Sequence, residues 1–90
     1  MRLDKFLKVS RVIKRRTVSK ELALLNKVKV NGNYAKPAHD LKVGDIVTLE
    51  LGEKSFSFRV IELKEHVLKN DSSMLYDIIE EIKKEEIVEV

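Results

Sequence analysis

Apolar positions at the start of the chain recur at helical spacing. Leu3, Phe6 and Leu7 fall at i, i+3 and i+4 within residues 2–9, the stripe of a short helix laid on a core. Arg2, Lys5 and Lys8 recur every third residue on another side. Asp4 lies between them with Arg2 or Lys8 as partner; i+4 pairs on a helix face each other and i+2 pairs do not. Residues 10–16 read as a basic connector anchored by Ile13. A second helix is expected from Thr17, a plausible N-cap, with Glu21 in its first turns and Val18, Leu22, Leu24 and Leu25 as its core face. Asn26 should end it, since asparagine tolerates the left-handed conformation of a C-terminal cap.

The period then changes from helical to alternating. Val28 and Val30 alternate with Lys27 and Lys29, and Asn31-Gly32 follows, a strong hairpin signal. The returning arm covers residues 33–36, and Pro37 ends it. A Gly44-Asp45 turn launches a strand over 46–51, and residues 52–54 turn back into a strand in which Phe56, Phe58 and Val60 share a face. Ser72 or Ser73 is expected to cap a third helix, with Leu75, Ile78, Ile79 and Ile82 on one side, covering Phe56 and Phe58. The order predicts an α+β fold: an αL motif, two short helices packed on a small antiparallel sheet, plus a C-terminal helix. Residues 1–70 hold the αL motif and sheet of this domain, and residues 71–90 an acidic amphipathic helix belonging to the same domain.

Composition narrows the function. Ninety residues with 43% apolar and 37% charged side chains make one core and an ionised surface, with no length for a second, catalytic domain. Cysteine is absent, which excludes disulfide and thiolate chemistry. No apolar run suits a signal peptide or approaches the ~20 residues of a membrane span, so a cytoplasmic protein without a membrane partner is expected. The net charge of +3 hides an asymmetry. Residues 1–45 hold twelve Lys/Arg against four Asp/Glu, a balance of +8; residues 46–90 hold six against eleven, a balance of −5. One half is built to meet a polyanion and the other is not.

The basic half has a defined layout: Arg2, Lys5 and Lys8 on the first helix; Arg11, Lys14, Arg15 and Arg16 on the connector; Lys20 on the second helix; Lys27, Lys29, Asn31 and Lys36 around the hairpin. Backbone N–H groups at the second helix's start, with the Thr17 and Ser19 hydroxyls and the two preceding arginines, make a phosphate cradle. Helical RNA is read largely through backbone shape and phosphates, and neutralising about six phosphates gives log affinity a slope of roughly −4 to −5 against log salt. Tyr34 is expected to be a partly buried hairpin residue, and Asn31 chiefly turn chemistry. His39 and His66 have no second ligand at metal spacing. Asp77, Glu80, Glu81, Glu85 and Glu86 read as the solvated face of the third helix. No phosphate-binding glycine loop, nucleophile elbow or zinc pattern is present, so neither catalysis nor a cofactor is expected.

Residues 2–7, the connector, the helix from Thr17 to Leu25, Val28-Lys29-Val30-Asn31-Gly32, Lys36-Pro37 and residues 41–47 together resemble the RNA-binding domain named after ribosomal small-subunit protein S-four. The resemblance spans roughly residues 1–50 and implies binding of structured RNA by the two helices and the hairpin. Among short members the chain looks most like the RqcP / heat-shock-protein-fifteen family of bacterial ribosome-associated quality-control factors. That implies contact with large-subunit ribosomal RNA and tRNA on ribosomes obstructed by peptidyl-tRNA, and cooperation with RqcH in alanine tailing of stalled chains, as a monomer. Asn26 stands where many members have glycine, and the short acidic tail favours the RqcP branch. Two other classes fit less well. A helix-turn-helix DNA regulator would need a second helix less apolar after Glu21, and a protein-docking module would use the apolar stripe at Leu75 to Ile82.

Overall fold

A computed structural model describes residues 1–13, 16–52 and 54–83, with the side chains of residues 16–19, 82 and 83 excepted. Helix α1 spans Leu3–Val9 and α2 spans Arg16–Leu24. Strands β1 (Val28–Val30), β2 (Asn33–Tyr34), β3 (Ile46–Leu51) and β4 (Lys54–Val60) follow, then a 3₁₀ helix (Lys69–Leu75) and β5 (Tyr76–Lys83). The five strands form one antiparallel sheet in the order β2-β1-β3-β4-β5.

Alternation decides which face of the sheet is buried. Val28, Val30, Val47, Leu49, Phe58 and Val60 point to one side and join Leu3, Phe6 and Leu7 of α1, Ala23 of α2, and Leu41 and Leu75 in a single core. The Phe6 ring stacks on Phe58 at 6.2 Å, and Tyr76 meets Phe58 edge-on at 5.4 Å, both favourable aromatic geometries. The other face carries a polar row across the strands: Tyr34 opposite Lys29, then Thr48, Ser57 and Glu80 in register.

Turn chemistry follows the sequence closely. Asn31 (φ 51°) and Gly32 (φ 86°) both take positive φ, which a two-residue hairpin loop matched to strand twist requires. Asn26 adopts the left-handed conformation after α2 (φ 57°), as expected of it.

Three local expectations are corrected. Among the described residues the third helix expected over 71–90 does not form: the chain makes a 3₁₀ helix to Leu75 and then β5, and residues 84–90 lie outside the described residues. The i, i+3, i+4, i+7 pattern of Leu75, Ile78, Ile79 and Ile82 imitates a helix because a β-bulge opposite Ser57/Phe58 breaks the strand's alternation. β-Branched isoleucines favour the strand, and β4 offered an open edge for it to pair with. Ser72 caps nothing; its hydroxyl donates to the Lys69 carbonyl at 2.9 Å inside the 3₁₀ turn. Secondly, Leu24 and Leu25 are 61% and 67% exposed, while Ala23 is buried and Leu22 half-buried. The helix ends at Leu24; Ala23 enters the core and Leu22 packs against it as expected, while Leu24 and Leu25 face away. Thirdly, α2 begins at Arg16, so Thr17 lies in the first turn rather than at the cap.

Candidate nucleic-acid interface

The first turn of α1 is tied to the segment that follows the hairpin. Leu3 N–H donates to the His39 carbonyl at 2.8 Å, Asp4 N–H to the Pro37 carbonyl at 3.2 Å, and Leu41 N–H to the Met1 carbonyl at 2.8 Å. The first two satisfy amides that a helix start leaves without intrahelical acceptors, and the three together set Arg2 beside the strand-like residue Asp40, with which it forms an isolated bridge. The basic stripe of α1 and the hairpin's exit at Lys36 are thereby fixed side by side. The Met1 ammonium lies 2.8 Å from the Asp40 carboxylate and, ahead of lesser help from Lys42 and His39, holds that carboxyl below the usual carboxylate range.

Arg2 takes an extended conformation (φ −62°, ψ 142°) just outside the helix. That frees it from the rule against i+2 pairs, and it closes a bidentate bond on Asp4: Nε to Oδ1 at 3.0 Å and Nη2 to Oδ2 at 3.2 Å. Asp4 is 1% exposed and also accepts the Lys5 N–H at 2.8 Å. Hydrogen bonding first, and then the carboxylate's charge, raise the Arg2 pKa above its ordinary value. A guanidinium has five N–H donors; two are bound to Asp4 and three remain on a side chain 47% exposed. The pair converts a floppy cation into an aimed one.

The remaining cations divide by circumstance. Lys8, Arg11, Lys20, Lys27 and Lys36 are exposed. Lys8 and Arg11 share the wall of a cleft of about 220 Å³ with Val9, Glu65, His66 and Val67. Arg11 adopts φ 60° at the turn leaving α1, a conformation that costs a non-glycine residue roughly 1–2 kcal/mol. Lys5 is ion-paired to Glu65, a contact between α1 and the loop after β4. Lys29 lies 3.6 Å from Glu50 and 4.8 Å from the centroid of the Tyr34 ring.

Asn31 serves the fold with both ends of its amide: Nδ2 donates to Asp45 Oδ1 at 3.1 Å, and Oδ1 accepts the Ile46 N–H at 2.9 Å. Lys14 and Arg15 lie outside the described residues, and so do the side chains of Arg16, Thr17 and Ser19. The phosphate cradle expected at the start of α2 therefore rests on sequence alone.

Tyr34 was expected to be partly buried and is instead 55% exposed; a two-residue strand ending at Tyr34 offers no wall to cover it. The strand register sets Lys29 opposite Tyr34, and residue spacing alone does not show how open the ring is. Asp77, Glu80 and Glu81 are exposed on β5 rather than on a helix, and Glu85 and Glu86 lie outside the described residues. His39 and His66 are exposed, and among the described residues no three His, Cys, Asp or Glu side chains gather as a metal site. No described helix is long and apolar enough to cross a membrane.

The family profile described as the S4 domain matches residues 1–47. A Streptococcus pneumoniae protein is 51% identical over 88 residues, 98% of this chain and 100% of its own length. One from Bacillus subtilis is 48% identical over 83 residues, 92% and 96% of the two chains. Both are named RQC P-site tRNA stabilizing factor. Among solved structures, the trimeric Heat Shock Protein 15 of Vibrio cholerae superposes with a TM-score of 0.81 at 26% identity, over 88% of this chain and 81% of that one.

Proposed function

The chain belongs to the S4-domain family of RQC P-site tRNA stabilizing factors, and from that premise we propose that it binds the large ribosomal subunit carrying peptidyl-tRNA and steadies that tRNA. In this reading it contacts ribosomal RNA and tRNA through the surface made by α1, the connector, α2 and the hairpin. It works in the cytoplasm as a monomer, without a catalytic centre or cofactor of its own, and supports alanine tailing of stalled nascent chains by RqcH. The observation that carries the reading is the match along essentially the whole of the Streptococcus pneumoniae relative.

The geometry supplies a physical rationale. The Asp4-held Arg2, the exposed Lys8 and Arg11, and the hairpin cations offer phosphate donors on rigid elements, the requirement for reading RNA by backbone shape. The carboxylates of β5 lie at the opposite edge of the sheet from the hairpin, where their charge repels phosphate and favours one orientation on the particle.

The test is co-sedimentation with purified large subunits, either vacant or carrying peptidyl-tRNA. Preferential pelleting with the latter, lost in Lys8→Ala and Arg16→Ala variants of unchanged circular dichroism, is the expected result. Equal pelleting with both particles would reduce the protein to a general structured-RNA or assembly factor. Preference for duplex DNA over RNA at fixed salt would overturn the RNA reading altogether.

A further inference from the structure

Tyr34 is a large aromatic side chain that the core does not use. It stands on the two-residue strand β2 with 55% of its surface open, although tyrosine gains most when its ring is covered. Its placement is nonetheless fixed. Lys29, directly across the β1–β2 pair, sets its ammonium 4.8 Å from the ring centroid, and Glu50 holds the same ammonium at 3.6 Å. The cation steadies the ring and leaves the rest of it to solvent.

The surroundings suit a flat, polar-edged ligand attached to an anion. A concavity of about 330 Å³ opens from Lys29 and Gly32 along Thr48, Ser57 and Glu80 on the uncovered face of the sheet. Gly32 adds no side chain to its lining, and the Thr48 and Ser57 hydroxyls, also in that lining, lie 2.7 Å apart. Lys27 and Lys36, both exposed, flank the same hairpin. An aromatic face next to ammonium groups and hydroxyls matches a nucleotide better than an apolar peptide.

We propose that Tyr34 stacks on an unpaired nucleobase of the bound RNA, with Lys29 meeting the adjoining phosphate. The inference rests on the RNA-binding reading above and deepens it. Bases inside an A-form helix are stacked on one another and present no free face, whereas bulged, looped or terminal bases do. The cations of α1 and the connector grip helical backbone, and Tyr34 adds a demand for an unstacked base beside it. The hairpin thereby contributes selectivity as well as charge.

Two RNA stems test this, one fully paired and one carrying a single bulged 2-aminopurine, titrated with the full chain at fixed salt. Wild type and Tyr34→Phe are expected to prefer the bulged stem by at least about fivefold, the lower end of what one base–aromatic stack contributes, and to quench the 2-aminopurine. Tyr34→Leu is expected to lose both the preference and the quenching while binding the paired stem as wild type does. Should Tyr34→Leu alter the circular dichroism, Tyr34→Thr, a strand former, takes its place. Retention of the preference in the variant, or its absence in wild type that binds both stems, overturns the proposal. Loss of association with ribosomal particles in Tyr34→Leu with unchanged RNA discrimination assigns the ring to a protein contact, and that also overturns it. Failure of wild type to bind either stem removes the RNA-binding reading itself.

Discussion

Replacing Arg2 by alanine should affect both stability and RNA binding, and the structure sets the size of each. Two charge-assisted hydrogen bonds, at 3.0 and 3.2 Å, disappear. Fully buried, such bonds contribute about 1.5–3 kcal/mol each. Here the two ends differ: the guanidinium is 47% exposed and surrenders a partly hydrated charge, while Asp4 is 2% exposed at its side chain and cannot recover water. The carboxylate keeps its bond from the Lys5 N–H. The expected loss is therefore about 1–2 kcal/mol, below the value for a wholly buried pair. In a domain of this size it lowers Tm by about 4–16 °C. Arg2→Lys keeps the charge but cannot span both carboxylate oxygens, and should fall roughly midway. Thermal and urea unfolding followed by circular dichroism measure all three proteins. RNA affinity is then compared across salt at a temperature where all are folded; loss of one phosphate contact should flatten the log–log slope by about 0.7–0.9. If Arg2→Ala unfolds with the wild-type midpoint, the Asp4 bond is not what holds this helix start. If the salt slope is unchanged, the three outward N–H groups do not meet phosphate.

Other substitutions separate neighbouring effects. Glu65→Gln frees Lys5 from an exposed ion pair of about 0.2–1 kcal/mol, so RNA affinity should rise by about 1.4- to fivefold in filter binding; a fall would mean that Glu65 positions Lys5 rather than competing for it. Arg11→Gly relieves a left-handed arginine. The free energy of unfolding should hold or rise by about 1 kcal/mol, while RNA affinity drops. Asn31→Ala loses the bonds to Asp45 and Ile46 and should cost about 1–2 kcal/mol in urea titrations. Asp40 has a folded pKa below its ordinary value because of the Met1 ammonium. Its contribution is thus present above the ordinary carboxylate pKa of about 4 and is lost as pH falls through the folded value. The stability gap between wild type and Asp40→Asn should close on acidification, and a gap constant with pH would exclude the pair as its cause.

Much of the first half was legible because short-range rules govern it. The Leu3-Phe6-Leu7 stripe, the Asn31-Gly32 hairpin and the Asn26 helix end each follow from local spacing or backbone tolerance, and each is where it was expected. Arg2 and Lys8 both stood as partners of Asp4, and the helical rule pointed to Lys8; the bond goes to Arg2 because Arg2 lies outside the helix, a boundary of one residue. The second half was less readable because tertiary pairing governs it. Ile78 and Ile79 fit a helical period, and only β4's need for a neighbour, with the bulge opposite Ser57/Phe58, makes them strand. Leu24 and Leu25 were misjudged for a similar reason: hydrophobicity cannot say which side of a short helix reaches the core when its length is uncertain by a turn. For the interface, charge revealed the cations; it could not reveal that Lys5 already has a carboxylate beside it or that Tyr34 is open.

Strand β5 lies at the rim of the sheet, and among the described residues its outer side meets no further strand. The outward main-chain groups of this eight-residue strand, with exposed Ile78 and Ile79, would ordinarily invite a foreign chain to add itself there, the first step toward fibrous aggregation. Asp77, Glu80 and Glu81 on the same strand set like charges against an identical incoming copy. These three carboxylates thus act as gatekeepers against pairing between copies at this edge.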